Sequence, residues 1–292
     1  MAKPKFKTIE GFEDNSRIRI KINKVSNLSP LPLVVRKVME ISNDPNSTAT
    51  SLGSVIKKDQ SLTAKILKIV NSAYYGFYRK ISNIDQAIVI LGFEEIKNIT
   101  IATSLMQSFP TDYNFILNRD DFWMHSLSCA FISKALCSSS LELNAEDAFV
   151  VGLIHDIGKL VLLQHLNQPY NLVIHNSTEH IEQLHKVEKA MLGVNHAEVG
   201  GILAENWKLP RQLVDAINYH HDPEKAGPDA LYTHIAHIAN YFSHQYQLGR
   251  SYNPNPDDVS KMSLKALGLD KVELEGFWEK IKIDEQFLRG IL

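Results

Sequence analysis

The segment Leu153-Ile154-His155-Asp156-Ile157-Gly158-Lys159-Leu160 places an imidazole and a carboxylate side by side inside an apolar run. Burying a charged carboxylate is costly unless a partner compensates it, and a metal ion is a common compensator. His155 and Asp156 therefore indicate a metal site within a folded core. Other histidines that could complete this site are His125, His196, His220 and His221.

Apolar residues recur at helical spacing from residue 31 onward, and no sustained alternation of the kind found in strands follows residue 25. Helices are expected after Pro30 and Pro32, around residues 52–56, and after Ser61 as a cap. The remaining predicted helices are 85–91, 94–109, 121–140, 145–166, 180–191, 195–207, 210–221, 229–247 and two short ones within 257–292. This pattern predicts an all-α protein with two helical lobes.

The polar stretch 111–120, which follows Pro110, is the best candidate for a domain boundary. All twelve histidines lie after residue 124, which suggests two halves with different roles. The predicted divisions are an N-terminal leader 1–27, an N-terminal helical lobe 28–115, a second helical lobe 116–249 and a C-terminal helical tail 250–292. Alternation at residues 17–22 predicts a short edge strand or an extended arm within the leader.

Composition narrows the class of protein. The chain has 292 residues, 44% of them hydrophobic and 22% charged, with a formal net charge of −2, so nucleic acid is not an expected partner. Cys129 and Cys137 are eight residues apart on one predicted helix, roughly 12 Å and too far for a disulfide. We expect a cytoplasmic protein, without a signal peptide or a membrane span.

Ligands contributed by separate helices are the usual way in which a helical bundle builds a metal site, and imidazole with carboxylate suits iron, manganese or zinc. Several histidines are also compatible with purely structural positions. His196 could be an exposed residue of a first helical turn capped by Asn195, and the helix dipole also favours histidine at the helix end formed by His220 and His221. His234, His237 and His244 are expected at the surface or behind the metal ligands. Surface positions are expected for His165, His175, His180 and His185.

His125, His155 and Asp156 resemble the first three residues of the pattern found in the HD superfamily of metal-dependent phosphohydrolases. The superfamily's distal aspartate is replaced here by Asn240, whose neutral carbonyl would hold a divalent ion less tightly. The segment 195–200 and the pair His220-His221 resemble extra ligands of the HD-GYP branch, and Lys159 matches its lysine. The branch's Gly-Tyr-Pro motif does not follow His221.

The first half is similar to the HDOD domain, a bacterial relative of HD proteins that is implicated in signalling and regulation. The similarity covers residues 28–225 and implies a two-lobed helical fold. The motifs that carry it are Leu31-Pro32, Asp59-Gln60-Ser61-Leu62, Asn71-Ser72-Ala73 and Ala87-Ile88-Val89-Ile90-Leu91-Gly92.

These resemblances imply a divalent metal, iron or manganese in a binuclear site, held by His125, His155, Asp156, His196, His220 and His221, with Asn240 as the weakened position. The expected function is regulatory, with a degenerate metal pocket that binds a protein signalling partner or a nucleotide-like ligand. The alternative is a phosphohydrolase or phosphodiesterase acting on a nucleotide or cyclic dinucleotide. Asp156 would then hold the ion, and Lys159 would be a positive clamp on the phosphate.

Overall fold

The computed structural model describes residues 30–42, 44, 46–72, 75–109, 117–137, 143–281 and 285–292. Within these residues every regular element is a helix, which confirms the predicted all-α class. The leader 1–27, with its alternating residues 17–22, lies outside the described residues. The chain divides into two compact units, one formed by 29–112 with 284–292 and the other by 1–28 with 113–283.

Sixteen α-helices lie within the described residues. In chain order they are α1 Leu33–Ser42, α2 Ala49–Ile56, α3 Gln60–Val70, α4 Ile84–Leu91, α5 Phe93–Ser108, α6 Arg119–Cys137, α7 Ala145–Ile154, α8 Ile157–Leu166, α9 Gln168–His180, α10 Leu184–Leu192, α11 His196–Asn206, α12 Arg211–Tyr219, α13 Leu231–Gln245, α14 Lys261–Ala266, α15 Lys271–Ile281 and α16 Glu285–Ile291. A 3₁₀ turn, Pro223–Lys225, precedes α13.

The N-terminal unit, residues 29–112 with 284–292, is built around α5. Every residue from Ile96 to Met106 is buried, as expected for a helix with neighbours on all sides. Helices α1 to α4 and α16 all pack against it. The side chain of Asn71 joins the end of α3 to the following loop, because it bonds the carbonyl of Leu67 at 2.7 Å and both backbone groups of Ile81 at 2.8 Å. Asn71 therefore has a structural role at the end of α3.

The histidine-rich unit, residues 113–283, contains all twelve histidines. Helices α6, α7 and α13 pack together, α8 packs on α11, and α12 links α11 to α13. Leu213, Ile235 and Phe242 belong to a core of aliphatic and aromatic side chains to which α6, α7, α12 and α13 contribute. The site residues therefore lie on several helices that the core holds together.

Four helix predictions differ from the structure. Asp59, rather than Ser61, caps α3, since its carboxylate accepts the Leu62 N–H at 3.0 Å. The predicted helix 145–166 is interrupted at His155 and Asp156. Helix α9 was not predicted, because Pro169 suggests a break, although proline is also favoured in a first helical turn. The tail 257–292 contains three helices instead of two.

The sequence-based domain boundaries remain predictions, but the proposed tail 250–292 is divided between the units. Its helices α14 and α15 belong to the histidine-rich unit, whereas α16 belongs to the N-terminal unit. Phe287, Leu288 and Ile291 are buried there, and the ring of Phe287 meets that of Tyr75 edge to face.

Among the described residues, one stretch is long and apolar enough to cross a membrane by length and composition alone, Ala145–Leu166. Its most apolar window is 83% buried within the protein. This stretch carries His155, Asp156 and Lys159 and forms α7 and α8, so its apolar character is that of a core segment.

Candidate metal centre

The interruption between α7 and α8 places Asp156 at the start of α8. Its backbone angles, φ −96° and ψ 4°, depart from the helix. An aspartate at this position commonly accepts hydrogen bonds from the first helical N–H groups, but the side chain of Asp156 makes no such bond. The carboxylate accepts instead from Lys159 Nζ at 2.6 Å. The carboxylate therefore does not cap the backbone N–H groups of α8.

Four histidines surround the Asp156 carboxylate, two near each oxygen. His125 Nε2 and His155 Nε2 lie 3.6 and 3.5 Å from Oδ2, while His196 Nε2 and His220 Nε2 lie 3.1 and 3.7 Å from Oδ1. His221 adjoins the second pair, because its Nε2 lies 2.8 Å from His196 Nε2. The structure thus brings together all the predicted histidine ligands around one carboxylate.

Gly158 permits the close approach of α8 to α11 that this arrangement needs. A Cβ at this position would lie 1.9 Å from the carbonyl oxygen of His196 and 2.8 Å from the backbone nitrogen of Gly200. Only glycine fits such a backbone contact. The glycine of the quoted segment therefore determines how near His196 can come to Asp156.

Each of the five imidazoles is held through its Nδ1 atom. The Nδ1 partners are Ser243 Oγ at 2.9 Å for His125, Gly152 O at 2.8 Å for His155, Glu188 Oε2 at 2.6 Å for His196, Ile217 O at 2.8 Å for His220 and Asp257 Oδ2 at 2.5 Å for His221. Such partners fix the ring orientation of metal-binding histidines and leave Nε2 for the metal.

The contacts of Ser243 define the tautomer of His125. The Ser243 hydroxyl donates its single hydrogen to the carbonyl of Leu248 at 3.0 Å, so toward His125 it can only accept. Nδ1 of His125 therefore carries the hydrogen, and Nε2 keeps its lone pair. The carbonyls of Gly152 and Ile217 impose the same tautomer on His155 and His220.

Several buried polar atoms of the site have no protein hydrogen-bond partner. They are His155 Nε2, His220 Nε2, Asp156 Oδ1 and Asn240 Oδ1. Leaving such groups unsatisfied costs about 1–3 kcal/mol each, and more for a charged group. All four are electron-pair donors, and the histidine and aspartate atoms lie around one carboxylate, where a cation would satisfy them. The residues present therefore fit a divalent metal.

Two donor groups can be recognised around Asp156 within the described part of the chain. One contains Asp156, His196, His220 and His221, the other contains His125, Cys129 and His155, and the donor atoms of each lie within 4.8 Å of one another. Burial raises the pKa of Cys129, which favours the uncharged thiol over a thiolate ligand. One histidine pair therefore lies near each oxygen of Asp156.

Burial controls the protonation of most of these histidines. It lowers the pKa of His155 to about 4 and lowers those of His125, His220 and His221 from the usual value, so their imidazoles are neutral near pH 7. Neutral imidazole is the form that binds metals. Burial also acts to lower the pKa of His196, but Glu188 and Asp156 outweigh it, and the pKa is raised.

Lys159 and Asn240 occupy different positions in the site. Lys159 is buried and donates to Asp156 and, at 2.9 Å, to the carbonyl of Ser251, so it neutralises Asp156 in this structure. Its predicted role as a phosphate clamp stays a prediction.

Asn240 is buried on α13, one turn before Ser243. Its Oδ1 has no hydrogen-bond partner. The role of Asn240 as a neutral metal ligand also stays a prediction.

Sequence reasoning missed the residues that hold the imidazoles. Glu188 and Asp257 lie eight residues before His196 and thirty-six after His221. No spacing rule connects them to the motif. His185, expected at the surface, is half-buried and stacks on His221 with ring centroids 4.3 Å apart. His237 is buried outside the cluster, where it bonds the carbonyl of His220 and the N–H of Ser260.

Known structures share this fold. An HDOD domain protein with unknown function from Geobacter sulfurreducens superposes with a TM-score of 0.78 at 24% identity, covering 94% of this chain and 97% of that one. A Shewanella amazonensis SB2B protein whose name proposes a phosphohydrolase gives a TM-score of 0.71 at 26% identity, covering 93% of this chain and 97% of that one.

Sequence comparison leads to the same group. An uncharacterised protein of Treponema pallidum (strain Nichols) is 22% identical over 214 residues, which are 70% of this chain and 40% of that protein. The chain thus spans less than half the length of this relative. The family model of the HDOD domain matches residues 28–223, about two thirds of the chain. The chain therefore belongs to the HDOD family.

Proposed function

We propose that the histidine-rich unit holds a pair of divalent metal ions, iron or manganese, and that the chain acts in signal transduction by binding a ligand or a protein partner rather than by turnover. The observation that carries the metal proposal is the convergence of buried imidazole Nε2 atoms on both oxygens of Asp156. Unpartnered donor atoms on His155, His220 and Asp156 support it.

The donor set divides between the two carboxylate oxygens. His125 and His155 would hold one ion, His196, His220 and His221 the other, and Asp156 both. Bound divalent ions supply positive charge that attracts phosphoryl oxygens and lowers the pKa of water. Glu188 and Asp257 orient the rings of His196 and His221, and Lys159 keeps Asp156 ionised.

Two features favour binding over turnover. Asn240 contributes a neutral oxygen where the HD pattern has a carboxylate, which lowers the negative charge available to the metals. Lys159 donates to Asp156 and to a backbone carbonyl, so its ammonium is engaged within the protein. Membership of the HDOD family agrees with a regulatory role.

A metal-dependent phosphohydrolase or phosphodiesterase acting on a nucleotide or cyclic dinucleotide is the second candidate. The observation that favours it is the near-complete donor set, in which six predicted ligands surround one centre. The name of the Shewanella amazonensis protein, 26% identical, points the same way.

Metal analysis combined with turnover assays tests both candidates. We expect the purified chain to contain iron or manganese. His155→Ala should lose most of this metal, and the control His175→Ala, at an exposed position, should retain it. Nucleotides and cyclic dinucleotides should remain intact over hours with metal-loaded protein. A chain without bound metal would contradict the metal proposal, and turnover that disappears in His155→Ala would establish the enzyme instead.

The proposed setting is the bacterial cytoplasm, with a protein signalling partner or a nucleotide-like ligand and without a membrane or nucleic-acid partner. Cys129 and Cys137 are free and buried, as expected under reducing conditions. The slightly negative net charge argues against nucleic acid.

A further inference from the structure

A pocket of about 420 Å³ opens in the histidine-rich unit beside α10, the start of α11 and the end of α12. Ligand pockets usually measure about 300–1,000 Å³, so this one is near the lower end and suits one nucleotide rather than a dinucleotide. Three lysines line it, namely Lys186, Lys189 and Lys225. Its size and its lysines suggest a small anionic ligand.

The pocket reaches the metal centre through His221. This residue lines the pocket, and its Nε2 lies 2.8 Å from His196 Nε2 within the donor group of Asp156. His185, which stacks on His221, also lines the pocket, and its Nδ1 is buried without a protein hydrogen-bond partner. A ligand in the pocket would therefore lie at the edge of the metal centre.

The charge of the pocket favours an anion. Lys189 pairs with Glu198 at 2.6 Å and Lys225 pairs with Asp222, both acids being in the pocket wall. Lys186 is exposed and makes no ion pair with any described residue, although its charge also acts on the carboxylate of Asp257, so its ammonium is available to a ligand in the pocket. Helix α11, eleven residues long, begins at the pocket, and its dipole adds to the positive potential.

We propose that this pocket binds the phosphate group of a nucleoside monophosphate, with Lys186 as the main phosphate contact and His221 connecting the ligand to the metal centre. The inference deepens the proposed function, because it names the ligand class of the same site. Lys189 can exchange Glu198 for a phosphate oxygen, since both are anionic oxygen acceptors.

Calorimetric titration of the metal-loaded chain of 292 residues tests the proposal. Adenosine 5′-monophosphate should bind, whereas adenosine, which lacks the phosphate, should not. Lys186→Glu should weaken binding of the monophosphate roughly tenfold or more, as expected for loss of a charge-assisted hydrogen bond and its replacement by repulsion. The matched control Lys265→Glu changes another exposed lysine of this unit, one that does not line the pocket, and should leave the affinity within about twofold.

The opposite results separate this inference from the proposed function. An unchanged affinity in Lys186→Glu, or no binding by the metal-loaded chain, would overturn the pocket assignment while leaving the metal proposal intact. Inorganic phosphate that binds as tightly as the monophosphate would overturn the nucleotide assignment. If the chain holds no metal, the metal proposal fails, and lysine-dependent binding of the monophosphate would still support the pocket.

Discussion

The carbonyl oxygen of His196 lies 1.9 Å from the place where a Cβ on residue 158 would stand. Gly158→Ala should therefore push α8 away from α11 and move His196 from Asp156. We expect metal affinity to fall by more than about tenfold. The free energy of unfolding should fall by about 3 kcal/mol, the upper end of the cost of overpacking a core.

Metal titration and urea unfolding would measure both effects. The matched control is Gly276→Ala, because a Cβ at that position in α15 meets no atom within 4 Å. The control should be neutral or slightly stabilising, since alanine favours helix over glycine by about 1 kcal/mol. Equal metal affinity in the two variants would show that the approach of α8 and α11 does not control the site.

Glu188 is fully buried and accepts hydrogen bonds from His196 Nδ1 at 2.6 Å, from the His196 N–H at 2.8 Å and from the hydroxyl of Tyr170. Glu188→Gln keeps the shape of the side chain but removes its negative charge. That charge makes the Nε2 atom of His196 a stronger electron-pair donor to a metal. Changing such a partner typically lowers metal affinity about 10–100-fold. Competition with a chelator would give the affinity, with the exposed Glu205→Gln as control. An affinity equal to that of the parent chain would refute the orienting role.

Asn240→Asp would restore a carboxylate at the position where the HD pattern has one. The added negative charge should raise metal affinity about tenfold, because an ionised oxygen binds a divalent ion more strongly than an amide oxygen does. Metal titration would detect this change, and Asn206→Asp on the exposed end of α11 provides the control. Tighter binding accompanied by new phosphodiesterase turnover would identify Asn240 as the residue that suppresses chemistry. An unchanged affinity would remove Asn240 from the ligand set.

The stability of the metal-free chain should depend on pH through His244. Burial, and then the charge of Lys159, lowers the pKa of His244 to about 4 in the folded chain, against about 6.5 when unfolded. Between these values the unfolded chain takes up a proton that the folded chain does not, so stability falls as pH drops from 6.5 toward 4. At pH 5 this difference in proton uptake lowers the free energy of unfolding by about 2 kcal/mol relative to neutral pH.

Urea unfolding at pH 7.5 and 5.0 would measure this dependence. His244→Asn should lose less stability on acidification than the parent chain, whereas His175→Asn, at an exposed position, should behave like the parent. An identical loss in all three proteins would exclude His244 as the titrating group.

The sequence was sufficient to predict the all-α class and the HDOD family, because helical periodicity and the quoted motifs are local properties of the chain. The grouping of His125, His155, His196, His220 and His221 also followed from a resemblance in motif. The hydrogen-bond partners of these imidazole rings could not be predicted from the sequence. Ser243 is 118 residues from His125, and only the packing of α13 on α6 brings the two together.

The interruption of the predicted helix 145–166 was also beyond sequence reasoning. Apolar periodicity continues through His155 and Asp156, so nothing local marks the break. The structure departs from the helix where the carboxylate contacts Lys159, three residues further along, and also His196 and His220, which belong to α11 and to the end of α12. Tertiary contacts therefore contribute to the backbone conformation at Asp156.

The return of α16 to the N-terminal unit has a consequence for biosynthesis. Residues 29–112 leave the ribosome first, but the core that they form includes Phe287, Leu288 and Ile291. At about 5–20 residues per second, the intervening residues take on the order of ten seconds to synthesise. During that time the nascent N-terminal unit exposes the apolar surface that α16 later covers. Folding of this unit is therefore completed only after the histidine-rich unit has been made, and the two units are not separable by a single cut in the chain.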